Sequence, residues 1–251
     1  MPEKTSAQAD GSVVRANKTS AQAETLPLHS RTPASWARDV LAEPVALLAD
    51  HAFLEKKAAL NAMQLLERWP QDWVPGWVET MTSVARDEAA HLAQVTRLLL
   101  RRGGRLGRTH KNPYANALRA LVRKGEVIAE ALDRLFVSAL IEARSCERFS
   151  VLAATADDPE LAALYKALFY SEFGHYKVFL RLAQKIERRN REAHRPTGPL
   201  CAPIIRAHRP QDPLCAQENE ARWQEMLAAE AKILAEQEPG PRIHSGVRSS
   251  D

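Results

Sequence analysis

Four long stretches of the chain repeat apolar residues in steps of three and four. That spacing lays a stripe along one face of a helix. The first runs from about Pro44 to Arg68, the second from Trp77 to Arg101, the third from Glu126 to Thr155 and the fourth from Glu160 to Arg188. No window alternates with period two for long, so no strand is expected. Shorter helical pieces are expected at Ala34 to Leu41 and around Tyr114 to Arg123. The breaks have local causes. Trp69-Pro70 through Pro75 ends the first helix, because proline lacks the N–H that a helix interior needs. Gly103-Gly104 stops the second, and Asp157-Asp158-Pro159 makes a tight turn with an acidic start to the fourth.

The connections run short, long, short. Two antiparallel hairpins joined by one crossover make an all-α, ferritin-like four-helix bundle, here with additional short helices. The bundle is expected over residues 26–191. Residues 1–25 are polar and carry a short duplication, Lys-Thr-Ser-Ala-Gln-Ala from Lys4 and again from Lys18. They hold too little apolar surface to offset ordering, so a disordered extension is expected. Residues 192–251 read as a Pro-rich tail with one amphipathic stretch, roughly Gln217 to Glu238, and disorder is expected after Pro239.

Composition changes this picture little. The 251 residues are 45% hydrophobic and 26% charged, which suits a globular chain rather than a disordered one. No apolar run approaches the ~20 residues that cross a bilayer, so no membrane partner is expected. The three cysteines make no disulfide framework and no metal-binding pair at CxxC spacing, and a cytoplasmic location is the simplest expectation. A net charge of +4 permits a polyanionic partner without demanding one.

The chemistry lies where the apolar seams are interrupted. On the second helix the seam reads Trp77, Met81, Val84, Glu88, His91, Val95, Leu98, and on the fourth Leu161, Tyr165, Leu168, Glu172, His175, Phe179, Leu182. The first carries Glu55 amid Leu48, Ala52, Ala59, Ala62 and Leu66; the third carries Glu142 amid Leu135, Ala139, Cys146 and Phe149. The inventory is Glu, Glu-x-x-His, Glu, Glu-x-x-His, one set per helix. Four carboxylates buried together would repel and force protonation. Two divalent cations would balance them, and mixed carboxylate and imidazole ligands suit iron or manganese. A single buried Glu is more often a charge reaching solvent, and a single Glu-x-x-His arises by chance. Two copies in seam phase, each facing a seam Glu, are hard to explain that way. The candidate metal ligands are therefore Glu55, Glu88, His91, Glu142, Glu172 and His175. His51 reads equally as a residue supporting the ligands or as a satisfied core histidine, Glu147 as supporting or surface, and Cys146 as a small core residue.

Several runs are similar to one family. Asp50-His51 with Glu55-Lys56-Lys57-Ala58-Ala59, Ala85-Arg86-Asp87-Glu88 with His91, Ile141-Glu142-Ala143-Arg144-Ser145-Cys146-Glu147-Arg148-Phe149, and Ser171-Glu172 with His175-Tyr176 resemble the helix motifs of the MiaE-type tRNA hydroxylases. The resemblance covers about Leu26 to Ala183 and departs at Phe173-Gly174, between ligands. It implies a non-haem di-iron monooxygenase that hydroxylates the isopentenyl chain of a 2-methylthio-isopentenyl adenosine next to the tRNA anticodon. It implies two iron ions, O2 as co-substrate, an external electron donor such as a reductase or electron-transfer protein, and the anticodon stem-loop as partner. By the same resemblance Glu88 and Glu172 bridge the irons, and Glu55 and Glu142 are terminal. No catalytic residue beyond the ligands is expected.

For the RNA side, Arg101, Arg102, Arg105, Arg108 and Lys111 cluster in the crossover with three glycines and no acid, a loop suited to phosphates. A solvated loop at a helix C-terminus explains them equally well. Lys56, Lys57, Arg144 and Arg148 flank the ligands, as a basic rim or as a solvated outer face. The alternatives are another di-iron oxidase, for instance on fatty aldehydes, a ferroxidase, or a helical RNA-binding module whose carboxylates are structural.

Overall fold

The structure is a computed structural model that describes Thr19 and residues 21–193 and 213–248. The expectations of disorder for residues 1–18 and for the Pro-rich run 194–212 fall outside the described residues. Helices are α1 (Ala34–Leu41), α2 (Pro44–Arg68), α3 (Trp77–Arg101), α4 (Pro113–Ala120), α5 (Val127–Thr155), α6 (Pro159–Ala193) and α7 (Pro213–Ala235). The fold is all-α, with α2 packed on α3 and α5 packed on α6 as two hairpins.

Local chemistry explains most boundaries. Proline stands in the first turn of α2 and of α4, where a missing N–H costs nothing. Asn112 caps α4 by accepting from Ala115 N at 3.1 Å. Asp158 does the same for α6, accepting from Glu160 N at 2.9 Å. Gly103 follows α3 with φ 76°, a left-handed turn that costs other residues energy. The fourth bundle helix runs to Ala193, past the expected end at Arg188, because nothing between those positions breaks it.

The largest departure concerns α5. Its inner face packs into the bundle, and its outer face is covered by α1, α4 and α7. Arg144, Glu147 and Arg148, which the sequence allows on a solvated face, are therefore buried. The second departure is the segment after Pro239. Instead of lacking structure, residues 239–248 fold back on the bundle and bury Ile243, His244 and Ser245. Ile243 N donates to Asp50 Oδ2 at 2.8 Å, Arg148 donates to the Ile243 carbonyl, and Trp36 Nε1 donates to Ser245 Oγ at 3.0 Å. Gly246 closes this turn. A Cβ there would meet the Gln237 carbonyl oxygen at 1.7 Å, so no other residue fits without rebuilding the turn. At the other end, Ala23 is buried and its carbonyl accepts from Arg31, so residues 21–25 are also fixed to the body, contrary to expectation.

Trp223, Met226, Leu227 and Leu234 seat α7 on the body. Burying each such side chain contributes about 1.5–3 kcal/mol. Phe136 of α5 meets the Trp223 ring at 5.3 Å.

Candidate metal centre

The six interrupting residues converge. All are buried, on the inner faces of α2, α3, α5 and α6. Ligand atoms of Glu55, Glu88, His91 and Glu172 lie within 4.8 Å of one another. His175 joins from α6, with its Nδ1 2.7 Å from Glu88 Oε1 and 2.9 Å from Glu172 Oε2. Across the site, His91 Nδ1 lies 3.4 Å from Glu88 Oε2, 2.9 Å from Glu172 Oε1 and 3.5 Å from Glu55 Oε2. Each of Glu88 and Glu172 thus turns one oxygen to each histidine. Glu142 of α5 is not among the four whose ligand atoms converge, but it lines the same cleft as Glu55, Glu88 and Glu172.

Electrostatics follow from this crowding. Burial, reinforced by neighbouring carboxylates, pushes Glu55 and Glu142 well above the ordinary carboxylate range. Burial also acts to raise Glu88, but contacts with His175 and His91 outweigh it and hold Glu88 at about 2. Burial opposes charge on the histidines, yet the carboxylates raise His91 and carry His175 up to about 11. Four crowded acids cannot all ionise beside two imidazolium ions, so Glu55 and Glu142 are driven toward the neutral form. Glu88 Oε1, His91 Nδ1 and Glu172 Oε1 also lie within 2.7–2.9 Å of opposite charges without making an aligned hydrogen bond. Buried polar atoms of native proteins are nearly always satisfied. Ligand atoms that converge but do not pair with one another fit a shared cation.

Further groups hold this ring. His51 Nε2 contacts Glu55 Oε1 at 2.6 Å, and its own ring stacks on Tyr165 at 5.5 Å. Burial lowers His51 to about 4, so its ring is neutral where it hydrogen-bonds to Glu55. Asp87 of α3 stands 3.7 Å from His175 Nε2, so the outward nitrogen of the α6 histidine faces an acid on the opposite hairpin. Cys146 is a buried core thiol directed at the Phe169 carbonyl. Glu147 faces away from the ring. It accepts from Thr32 N at 2.6 Å and Thr32 Oγ1 at 2.7 Å, and it is buried rather than at the surface. Arg144 and Arg148 form no basic rim. Arg144 donates to Glu230 and Glu147, and Arg148 stacks on Trp36 at 4.2 Å.

The cleft beside the ring encloses ≈ 600 Å³ including its open mouth. Buried Glu55, Glu88 and Glu172 form its floor; Leu54, Ala58, Ala115, Ile141 and Phe149 form apolar walls. Lys57, Asn61 and Arg119 are half-exposed toward the opening. Sequence reasoning missed Asn112, Arg119 and His244 in this wall. The Asn-Pro pair at 112–113 signalled a helix start, but nothing local marks Arg119, and His244 lies in the segment expected to lack structure.

The crossover cations lie elsewhere. Arg102 pairs with Asp158 at 2.7 Å and with Glu160 at 3.1 Å, and Arg101 also pairs with Glu160. The turn holding those acids follows Thr155, 13 residues past Glu142 on α5, which at 1.5 Å per residue is roughly 20 Å from the ring. Arg105 and Arg108 are exposed, and Lys111 lines a separate small pocket with Asp50 and Arg242. None of the five lines the cleft.

Other proteins are similar to this chain in sequence and in structure. A tRNA 2-(methylsulfanyl)-N(6)-isopentenyladenosine(37) hydroxylase of Pseudomonas putida is 41% identical over 152 residues, 61% of this chain and 72% of the relative. One of the same name from Salmonella typhimurium is 28% identical over 207 residues, 63% of this chain and 76% of the relative. Among solved structures, "Protein 43 with aldehyde deformylating oxygenase activity from Synechococcus" superposes with a TM-score of 0.70 at 32% identity, covering 87% of this chain and 96% of the other. The family model described as "MiaE: tRNA-(MS[2]IO[6]A)-hydroxylase (MiaE)" matches residues 20–196. With that match over most of its length, and with the Glu and Glu-x-x-His sets gathered around one buried centre, this chain belongs to the MiaE family of ferritin-like hydroxylases.

Proposed function

We propose that this protein is a di-iron, O2-dependent monooxygenase that hydroxylates the isopentenyl side chain of 2-methylthio-isopentenyl adenosine beside the tRNA anticodon. The observation that carries the reading is the cleft whose floor is the carboxylate–histidine ring and whose walls are apolar. Glu55, Glu88, His91, Glu142, Glu172 and His175 would hold two iron ions. The pairing of Glu88 and Glu172 with both histidines supports a bridging role for these two. When bound, the iron pair supplies the O2 chemistry; the overall reaction consumes one C–H bond, O2, two electrons and two protons and yields one C–O–H and water.

The chain's own residues do the rest. Leu54, Ala58, Ile141 and Phe149 give the prenyl chain an apolar berth against the floor and exclude water from it. Asn61, Asn112, Ser138, Ser145 and His244 give the same lining a polar part, where Asn61 bonds to Ser138 and His244 contacts Asn112 and Ser145. That mixture favours a nucleoside over an alkyl aldehyde, for which an all-apolar channel is expected. The electrons come from an external reductase or carrier protein. The described helices include none long and apolar enough to cross a membrane.

The test is anaerobic loading with ferrous iron, then addition of a reductant, O2 and tRNA bearing the modified nucleoside. Digestion and mass spectrometry should find one added oxygen on that nucleoside. Two irons without product would move the substrate to another class, and no iron binding would overturn the centre itself. A finer expectation concerns His51. Its replacement by Ala removes the hydrogen bond that orients Glu55, and iron affinity should fall by about 10–100-fold with the helical content retained. Competition with a chelator of known affinity measures this, and unchanged affinity would remove His51 from the support of the centre.

A further inference from the structure

We infer that Lys57 of α2 and Arg119 of α4 form a phosphate-binding pair at the mouth of the cleft, taking a backbone phosphodiester of the RNA strand whose modified base enters it. This rests on the RNA-hydroxylase reading and adds to it the point of contact with the RNA.

Both side chains line the cleft that leads to the carboxylate ring. Lys57 reaches the mouth from α2 and Arg119 from α4, and both are half-buried there beside Asn61 and Ala115. Among the described residues no carboxylate pairs with either of them. The Arg119 guanidinium makes no hydrogen bond or ion pair with a described residue, so none of its five N–H donors is spent on those residues.

The neighbouring cations are engaged. Arg134 and Arg68 share Glu130, and Arg101 and Arg102 share Glu160. Adjacent like charges without a counterion oppose folding, and a partly buried arginine left unpaired at a cleft mouth is suited to an anion that arrives with the substrate.

Lys57 is also held in place. Its Nζ donates to His110 Nδ1 at 3.0 Å and to the His110 carbonyl at 3.3 Å. With Nδ1 accepting, His110 Nε2 carries the proton and donates to Asp50 Oδ1 at 2.7 Å. Asp50 is itself anchored by the backbone N–H of Ile243. This chain orients the ammonium and leaves one of its three N–H groups free. A point charge on a fixed stem beside a planar, multi-donor fork is a common way to grip a phosphate. The apolar walls run from this mouth to the floor. A strand clamped there by its phosphate can place its own base and prenyl chain inward.

The experiment measures binding of the anticodon stem-loop RNA bearing the modified nucleoside to the iron-loaded protein at several salt concentrations. In single-stranded RNA each lost phosphate contact lowers the slope of log affinity against log salt by about 0.7. The K57Q/R119Q double variant, which loses the one phosphate the pair grips, should therefore flatten the slope by about 0.7, relative to the unaltered protein, while its iron content stays the same. The charge-keeping K57R/R119K variant should retain most of the slope, which separates charge from packing. An unchanged slope in K57Q/R119Q, with the unaltered protein binding and hydroxylating the RNA, overturns the pair and leaves the enzyme reading intact. Failure of the unaltered protein to bind the RNA overturns both.

Discussion

Replacing His175 by Ala is expected to leave the helical content intact, remove at least one of about two iron ions per chain and abolish hydroxylation. The helices are held by the apolar seam, Leu168, Phe179 and Leu182 among it, so losing one imidazole does not unfold them. The contacts make the expectation directional. His175 meets Glu88 and Glu172 on one side of the ring, and His91 meets Glu55 together with the other oxygens of the same pair. Glu55→Ala should therefore weaken the His91 side, and Glu142→Ala the other. Glu172→Ala, which touches both histidines, should weaken both sides. Iron per chain, measured after loading and desalting, distinguishes these outcomes. Full iron and full turnover in His175→Ala and Glu142→Ala would sink the ligand assignment.

Replacing Glu230 by Ala is expected to destabilise the protein by about 3–5 kcal/mol, because it removes one partner of a fully buried ion pair. Glu230 accepts from Arg144 Nε at 2.8 Å, Arg144 Nη2 at 3.0 Å and Tyr114 OH at 2.8 Å, and both charged side chains are 0% exposed. Glu147 still faces Arg144 in the variant, but one charge and the tyrosine hydroxyl lose their acceptor. For a chain of this size each kcal/mol moves the melting temperature by about 2–4 °C, so the fall should be about 6–20 °C. Glu230→Gln keeps an acceptor oxygen and should fall less. Calorimetry checks this, and a shift under about 2 °C would show that the network contributes little. The consequence reaches the cleft, since Tyr114 stacks on His244 at 4.5 Å and His244 lines the wall.

The expected helix ends and the observed ones agree closely where a proline, a glycine pair or an Asp-Pro turn marks them, as at Pro44, Trp77 and Thr155. The ring was legible for a different reason. Glu88 and His91, and Glu172 and His175, fall in phase with apolar neighbours, and phase alone places them inside. Arg119 was not legible. It is one arginine on a short helix, and its meaning depends on Lys57, 62 positions earlier, and on carboxylates that happen to be engaged elsewhere. The crossover arginines show the complementary case. They look free in the sequence, yet Arg101 and Arg102 meet acids from the α5–α6 turn.

Periodicity and breakers are local properties, because 3.6 residues per turn and a missing proline N–H act within a few positions. From them follow the helices, their inward faces and the carboxylates and histidines on those faces. The outer face of α5 is another matter. Arg144, Glu147 and Arg148 have the chemistry of a solvated surface, and only the return of α7 and residues 239–248 turns them into a buried network. Which charge is covered, which cation keeps a counterion and which wall His244 joins are set by contacts between segments some 90 to 190 residues apart. Such contacts form when the hydrophobic surfaces of α7 and the bundle meet, and no local pattern encodes where that meeting places a neighbouring charge.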